Sequence, residues 1–206
     1  MADIAIIDYG VGNLRSVEKA FAATGQDAIV TSNKEELRKA KRLVLPGVGA
    51  FAACMSALHE YGLVDLVLER VTEGVPMLGV CVGMQMLFEG SDEFGKSEGL
   101  GLLKGRVRRF SDDLIVPHVG WNRIHQNRQH PLFSGIVDDS FFYFVHSYFC
   151  EPADGELIVG ETSYGRNYAS VVASKNVCGV QFHPEKSQSV GLKMLANFAT
   201  FEFDFR

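Results

Sequence analysis

The sequence predicts an α/β protein built on an open sheet. The sheet is parallel in its first half and mixed or antiparallel in its second, with helices on both faces. Three observations carry this expectation. Up to Phe88, short apolar runs alternate with amphipathic stretches of helical period, the pattern of a doubly wound parallel sheet. Beyond Phe88, β-like pieces follow one another with few helical periods between them. At the junction, Gly79-Val80-Cys81-Val82-Gly83 joins an apolar strand directly to a helix.

Taken in order, Ile4–Ile7 is a buried strand that runs into Asp8-Tyr-Gly-Val-Gly-Asn13. A helix follows, with Leu14, Val17 and Phe21 inward and Arg15, Glu18 and Lys19 outward. A glycine-rich turn between strand and helix invites a dinucleotide reading. However, Gly10-x-Gly12-x-x-Arg15 lacks the third glycine that lets helix and strand pack closely. Ala28–Thr31 is a second strand, and Ser32 to Glu35 has capping-box spacing for a helix reaching about Ala40. A third strand, Arg42–Leu45, ends in Pro46-Gly-Val-Gly-Ala-Phe51, and helices over Phe51–Glu60 and Leu63–Glu73 lead to an apolar strand, Val75–Val80. Met84, Leu87 and Phe88 are spaced as the inner face of the next helix, and residues 89–99 read as a polar loop. The later strands are expected at Arg106–Phe110, Asn122–His125, Phe141–Val145, Leu157–Gly160, Ala169–Ala173 and Val177–Phe182. A last helix carries Val190, Met194, Leu195, Phe198 and Phe201 on one face. No linker, repeat or low-complexity segment interrupts residues 1–206, so a single domain is expected.

Composition narrows the function classes. With 206 residues, 47% hydrophobic and 22% charged, the chain suits one sizeable globular core. A net charge of −5 argues against a nucleic-acid or anionic-membrane surface. No run approaches a membrane span, and Met1-Ala-Asp leads straight into a strand, so no signal peptide is expected. Cys54, Cys81, Cys150 and Cys178 are scattered, which suits neither a zinc site nor a disulfide framework and fits a reducing cytoplasmic setting.

Two elements carry chemistry. The first is a nucleophile elbow, G-x-S-x-G with cysteine in place of serine. A strand entering a helix within one or two residues strains the central residue. Side chains two positions away would collide, so glycine is needed at both Gly79 and Gly83. The turn should lift the sulfur clear of the sheet, at a helix N-terminus that favours the thiolate. Alone, the motif fits equally a core cysteine beside two packing glycines. The second element is His183-Pro184-Glu185, where proline ends the strand Val177–Phe182. Residues i and i+2 in extended backbone point the same way, letting Glu185 fix the His183 tautomer while His183 acts as base and acid. Alone, His-x-Glu fits a surface strand end. Both elements at strand termini of one α/β domain favour a thiol catalytic site.

Together, Gly79-Val-Cys81-Val-Gly-Met-Gln85 and His183-Pro-Glu185 resemble the class I, triad-type glutamine amidotransferase family over the whole chain. Four further stretches are similar, more narrowly, to the glutaminase subunits of imidazole glycerol phosphate synthase, of histidine biosynthesis. They are Asp8–Asn13, Pro46–Phe51, Pro117-His-Val-Gly-Trp-Asn122 and Tyr143-Phe-Val-His-Ser-Tyr148. The resemblance implies a flavodoxin-like sheet and hydrolysis of glutamine to glutamate and ammonia through a thioester at Cys81, with His183 and Glu185 as partners. It implies an oxyanion hole from backbone N–H groups of Val82 and the Gly47-Val48 turn. Gly49, Gln85, Glu93, Ser147 and Tyr148 would hold the amino-acid end of glutamine, Glu93 pairing with its ammonium. Asn13, His118, Trp121, Asn122 and Tyr143 would face a partner, a (β/α)8-barrel cyclase subunit that consumes the ammonia in a heterodimer. No metal, flavin or nucleotide is implied.

Read from the residues alone, Glu93 is a solvated charge, and His118 and Trp121 lie in a loop with a buried indole. Phe141–Val145 reads as a continuous apolar core strand, and His59, His125 and His130 have no ligand spacing. Rival readings are the glutaminase subunit of another amidotransferase, such as the anthranilate synthase type, a triad-fold partner without catalysis, or a cysteine-elbow hydrolase or redox sensor.

Overall fold

Strands buried along their whole length need cover on both faces, and the first half of the chain supplies it with helices. In the computed structural model, which describes residues 2–202, β1 (Ile4–Ile7) lies between β2 (Ala28–Thr31) and β3 (Arg42–Gly47), with β4 (Met77–Cys81) beyond β3, all parallel. The helices are α1 (Leu14–Ala23), α2 (Lys34–Lys39), α3 (Phe51–Glu60) and α4 (Val64–Thr72). The chain steps outward from β1 to β2, then back across β1 to β3 and on to β4. Right-handed crossovers therefore put α1 on one face and α2 to α4 on the other. The packing agrees, α2 against α4 and α1 against the C-terminal α6 (Gln188–Thr200). On α1, Val17, Ala20 and Phe21 are buried, the face the helical period marks.

The second half is mixed, as expected. Its elements are α5 (Val82–Met86), β5 (Phe88–Ser91), β6 (Ser97–Glu98), β7 (Leu103–Arg109), β8 (His118–Gln126) and β9 (Ser140–His146). There follow β10 (Tyr148–Pro152), β11 (Ile158–Ser163), β12 (Asn167–Ser174) and β13 (Val177–Val180). The main sheet runs β2-β1-β3-β4-β13-β12-β10-β7-β5-β6, with β11, β8 and β9 branching from β12. β13 returns beside β4 in parallel and extends the parallel block by one strand before β12 reverses direction.

Several local expectations give way to tertiary pairing. The helix after the elbow is only five residues long, and Phe88 opens a strand instead of closing a helical face. Phe88 is fully buried opposite Leu103 of β7, a pairing outside the reach of local periodicity. The polar loop of residues 89–99 contains the β5–β6 hairpin. β10 is not among the strands expected from the sequence; Pro152 sits at its last ladder position, opposite Gly105. Phe141–Val145 is not a continuous core strand. Phe142 and Phe144 are buried, while Phe141 on the alternate face is 48% exposed. Phe201 lies just past the end of α6. No single helix among the described residues is long and apolar enough to cross a membrane.

The cap of α2 is Asn33, one residue later than the Ser32–Glu35 spacing suggests. Thr31 is still paired with Ile7 in the β1–β2 ladder, so the chain first turns at Asn33. The Asn33 side-chain oxygen accepts from the N–H groups of Glu35 (2.8 Å) and Glu36 (3.4 Å). Asn33→Ala should therefore cost about 1 kcal/mol in chemical denaturation, and Ser32→Ala close to nothing. Equal losses would restore Ser32 as the cap.

Candidate active site

The C-terminal ends of β3, β4 and β13 are neighbours in one parallel block. Gly47 lies opposite Cys81, and Val180 opposite Val80. The turn after β3, the elbow after β4 and the segment leading from β13 to His183 therefore leave the sheet at one edge, where open α/β sheets bind ligands. At the elbow Cys81 is held at φ +56°, ψ −115°. A Cβ on Gly83 would sit 1.8 Å from the Leu45 carbonyl oxygen, and one on Gly79 2.7 Å from the Gly83 oxygen. Both glycines are sterically required, as the spacing predicts.

The sulfur is not lifted clear. Cys81 is only 4% exposed and lies at the floor of a cavity of about 290 Å³. With α5 only five residues long, the helix dipole is a smaller aid to the thiolate than the motif implies. Charge comes instead from His183.

His183 reaches Cys81 by a different path from the expected one. β13 stops at Val180, and Pro184–Lys186 forms a 3-10 turn. Glu185 comes back to His183 through that turn, not along extended backbone, and its Oε1 accepts from Nδ1–H at 2.9 Å. Backbone bonds fix the histidine further. The His183 N–H donates to the Tyr143 carbonyl (2.9 Å), and the Ser187 hydroxyl bridges the His183 carbonyl (2.7 Å) and the Tyr143 N–H (3.0 Å). Nε2 is buried and has no hydrogen-bond partner among the described residues, so it is the ring nitrogen left for chemistry. Burial opposes a charged imidazole here, but the neighbouring Cys81 sulfur and the Glu185 carboxylate outweigh it and raise the His183 pKa to about 10. His183 is thus suited to carry a proton beside the Cys81 sulfur.

The cavity brings together Val48, Gly49, Cys81, Val82, Gln85, Glu93, Ser147, Tyr148 and His183 from the sequence reading, and adds Pro117, Val145, His146 and Lys186. Gly47 lies immediately before this lining and Glu185 behind His183. Glu93 is not a solvated charge. It is 8% exposed, and its Oε2 accepts from the Phe51 N–H at 2.6 Å, at the start of α3. Gln85 spends both amide hydrogens inside the protein, on the Tyr148 carbonyl (3.2 Å) and on Gln181 Oε1 (3.1 Å), which leaves its own oxygen for a ligand. The Pro46–Val48 turn is anchored from below. The Tyr9 hydroxyl donates to the Pro46 carbonyl (2.6 Å), and the Cys54 thiol to the Val48 carbonyl (3.3 Å).

The residues expected at a partner surface divide. Trp121 is 45% exposed and packs edge-on against half-buried Tyr143, which also lies 6.0 Å from the Lys186 ammonium. The indole is therefore neither buried nor in a loop; it stands on β8. Asn13 is exposed and Asn122 half-buried. His118 does not face outward. It is 5% exposed, stacked between Tyr164 and Phe144, because it sits on the core-facing side of β8. Sequence reasoning singled out neither Gln181 nor Ser187, and it gave His146 no role of its own. A polar glutamine between Val180 and Phe182 in an otherwise apolar run was the available signal for the first. For a metal, His125, Asp138 and Asp139 come within ligating distance of one another, but all three are exposed and His125 pairs with Asp138 at 3.1 Å.

Residues 5–200 match the family model for glutamine amidotransferase class-I. Imidazole glycerol phosphate synthase subunit HisH of Bacillus cereus (strain B4264) is 48% identical over 195 residues, covering 95% of this chain and 93% of that protein. The chain belongs to the class-I glutamine amidotransferase family, in its HisH branch. The HisH subunit of Geobacter metallireducens is 46% identical over 206 residues, covering 97% of this chain and 98% of that protein. Among solved structures, a crystal structure of glutamine amidotransferase superposes with a TM-score of 0.74 at 21% identity, covering 94% of this chain and 98% of that one. The structure of PurLQS from Thermotoga maritima gives 0.76 at 17% identity, covering 96% and 98%. These last two show the fold. This amidotransferase is a glutaminase subunit of the imidazole glycerol phosphate synthase type.

At the amidotransferase cavity, which His146 lines, two histidines lie in contact, His118 Nδ1 3.2 Å from His146 Nε2. Burial lowers the His118 pKa to about 4 and the His146 pKa to about 3, and the neighbouring His118 and His183 push His146 the same way. A histidine depressed on folding binds fewer protons than its unfolded counterpart, so stability falls as pH drops below about 6.5. His146→Asn cannot titrate there and should flatten the loss between pH 6.5 and about pH 4.5 by about 2 kcal/mol in denaturant unfolding. A parallel pH dependence in the variant would show that His146 is not the responsible group.

Proposed function

We propose that Cys81, His183 and Glu185 hydrolyse glutamine through a glutamyl thioester and supply the ammonia to a cyclase subunit. The observation that supports this most is the elbow sulfur lining the cavity, beside a buried His183 whose Nδ1–H is held by Glu185 and whose Nε2 is unpartnered. The Cys81 thiolate attacks the side-chain amide carbon. Backbone N–H groups of Val82 and the Gly47-Val48 turn receive the oxyanion, a donor type worth a few kcal/mol of barrier. His183 Nε2 gives its proton to the amide nitrogen, which leaves as ammonia. The same nitrogen then takes a proton from water, and the hydroxide attacks the thioester to release glutamate and Cys81. Gly49, Gln85, Glu93, Ser147 and Tyr148 hold the amino-acid end, with the second Glu93 oxygen meeting the ammonium.

The partner reading rests on the resemblance and on side chains that reach the surface. Trp121 and Asn13 are exposed, Tyr143 and Asn122 half-buried, and all four lie in the stretches that resemble glutaminase subunits of imidazole glycerol phosphate synthase. In this reading a (β/α)8-barrel cyclase covers them in a heterodimer, taking ammonia into imidazole glycerol phosphate and an aminoimidazole carboxamide ribotide. The chain works as a single domain over residues 1–206, in the cytoplasm.

Cys81→Ala should abolish ammonia release from glutamine while thermal unfolding and cyclase binding stay unchanged, since the sulfur faces the cavity. Cyclisation by the complex supplied with ammonium salts should continue. Glutamine-dependent turnover surviving in the variant would remove Cys81 as nucleophile. Glu93→Gln should raise KM for glutamine more than it lowers kcat, because the ammonium contact exists before and during reaction. Unchanged kinetics would mean that Glu93 serves only the start of α3.

A further inference from the structure

A backbone carbonyl can only accept hydrogen bonds, and that fixes the orientation of a row of buried amides beside the nucleophile. The Tyr148 carbonyl lies 3.2 Å from the Gln85 side-chain nitrogen, so Gln85 must present its NH₂ there. The second N–H of the same group reaches Gln181 at 3.1 Å and therefore requires the Gln181 oxygen on that side. The Gln181 NH₂ is then turned the other way, toward Cys81 Sγ at 3.9 Å. His146 tightens the starting point, with its Nδ1–H on the same Tyr148 carbonyl at 2.8 Å. Gln181 is fully buried, and its backbone N–H is held by the Ser170 carbonyl at 2.9 Å, so the side chain has a fixed base.

We propose that Gln181 is a positioning residue for the nucleophile, its amide N–H donating to the Cys81 thiolate on the side away from the substrate cavity. Cys81 gives its proton to His183 Nε2, and the resulting sulfur anion is then held between the imidazolium on one side and the Gln181 amide on the other. A neutral thiol gains little from a second donor, whereas a thiolate gains a charge-assisted hydrogen bond. The row of amides thus favours the ionised nucleophile and fixes the side of the sulfur left open for attack. Because Gln85 forms the middle of the row and also lines the substrate cavity, substrate binding and nucleophile orientation share one side chain. The proposal rests on Cys81 being the nucleophile.

The test follows iodoacetamide alkylation of Cys81 against pH in the full chain, read by peptide mass, together with glutaminase kinetics. Gln181→Met keeps the length and removes the donor. Gln181→Glu keeps the shape and accepts from Gln85, but places oxygen against the sulfur. The alkylation midpoint should rise by about one pH unit in the first variant, matching one modest hydrogen bond, and further in the second. The kcat should fall about ten-fold, with KM for glutamine within about two-fold. Superimposable alkylation profiles in both variants would overturn the proposal. Should either variant fail to fold, the unmodified chain decides. The Gln181 side-chain amide proton resonances should shift over the pH range in which Cys81 becomes reactive, and resonances that stay still there would also overturn it. Glutamine turnover in Cys81→Ala would instead defeat the nucleophile assignment itself, a separate result.

Discussion

The closeness of Gly83 to the end of β3 governs the site. No side chain fits where the Gly83 Cβ would lie 1.8 Å from the Leu45 carbonyl oxygen. That contact lets α5 begin immediately after β4, and it places the Val82 N–H beside the Pro46–Gly49 turn. Gly47 is equally confined, since its Cβ would stand 2.7 Å from the Gly83 nitrogen. Gly47 at the end of β3 and Gly83 in α5 therefore bring the elbow and the proposed oxyanion turn within backbone contact. A positive φ at Cys81 is tolerated because the packing on both sides leaves no other path.

From that junction, polar groups run outward in a consistent sense. His183 is fixed through Tyr143 and Ser187, and Tyr143 belongs to the strand β9 that pairs with β8. Trp121, exposed on β8, packs on the Tyr143 ring. The strand pair that carries the exposed aromatic face is thus also the one that holds the His183 backbone. On the other side, the Tyr148 carbonyl orders Gln85 and Gln181 around the sulfur. Each polar side chain is buried and would be costly if unpaired, so the network resists rearrangement.

Much of this was legible in sequence where the cause is local or periodic. The parallel block, the faces of α1 and the elbow glycines follow from apolar spacing and from steric limits that act within a few residues. Cys81 and His183 stood out as candidates because each follows a strand recognisable in the sequence. Glu93, His118 and Trp121 were misjudged as residues because their exposure depends on strands distant in the chain. Glu93 is buried by the start of α3, His118 by Tyr164 and Phe144, and Trp121 is left outside by the β8 register.

By itself, then, the sequence determined the α/β class, the family resemblance and the choice of the three side chains proposed to react, since these depend on residue type and short spacing. Tertiary structure decided how deep the sulfur lies, that Glu185 approaches His183 through a 3-10 turn, and that Gln181 joins Cys81. It also decided that Phe88 begins a strand opposite β7. The reason is range. A steric clash between neighbours in the chain is written in the residues themselves, whereas a hydrogen bond such as that between Gln85 and Gln181 exists only once the sheet has brought two distant strands together.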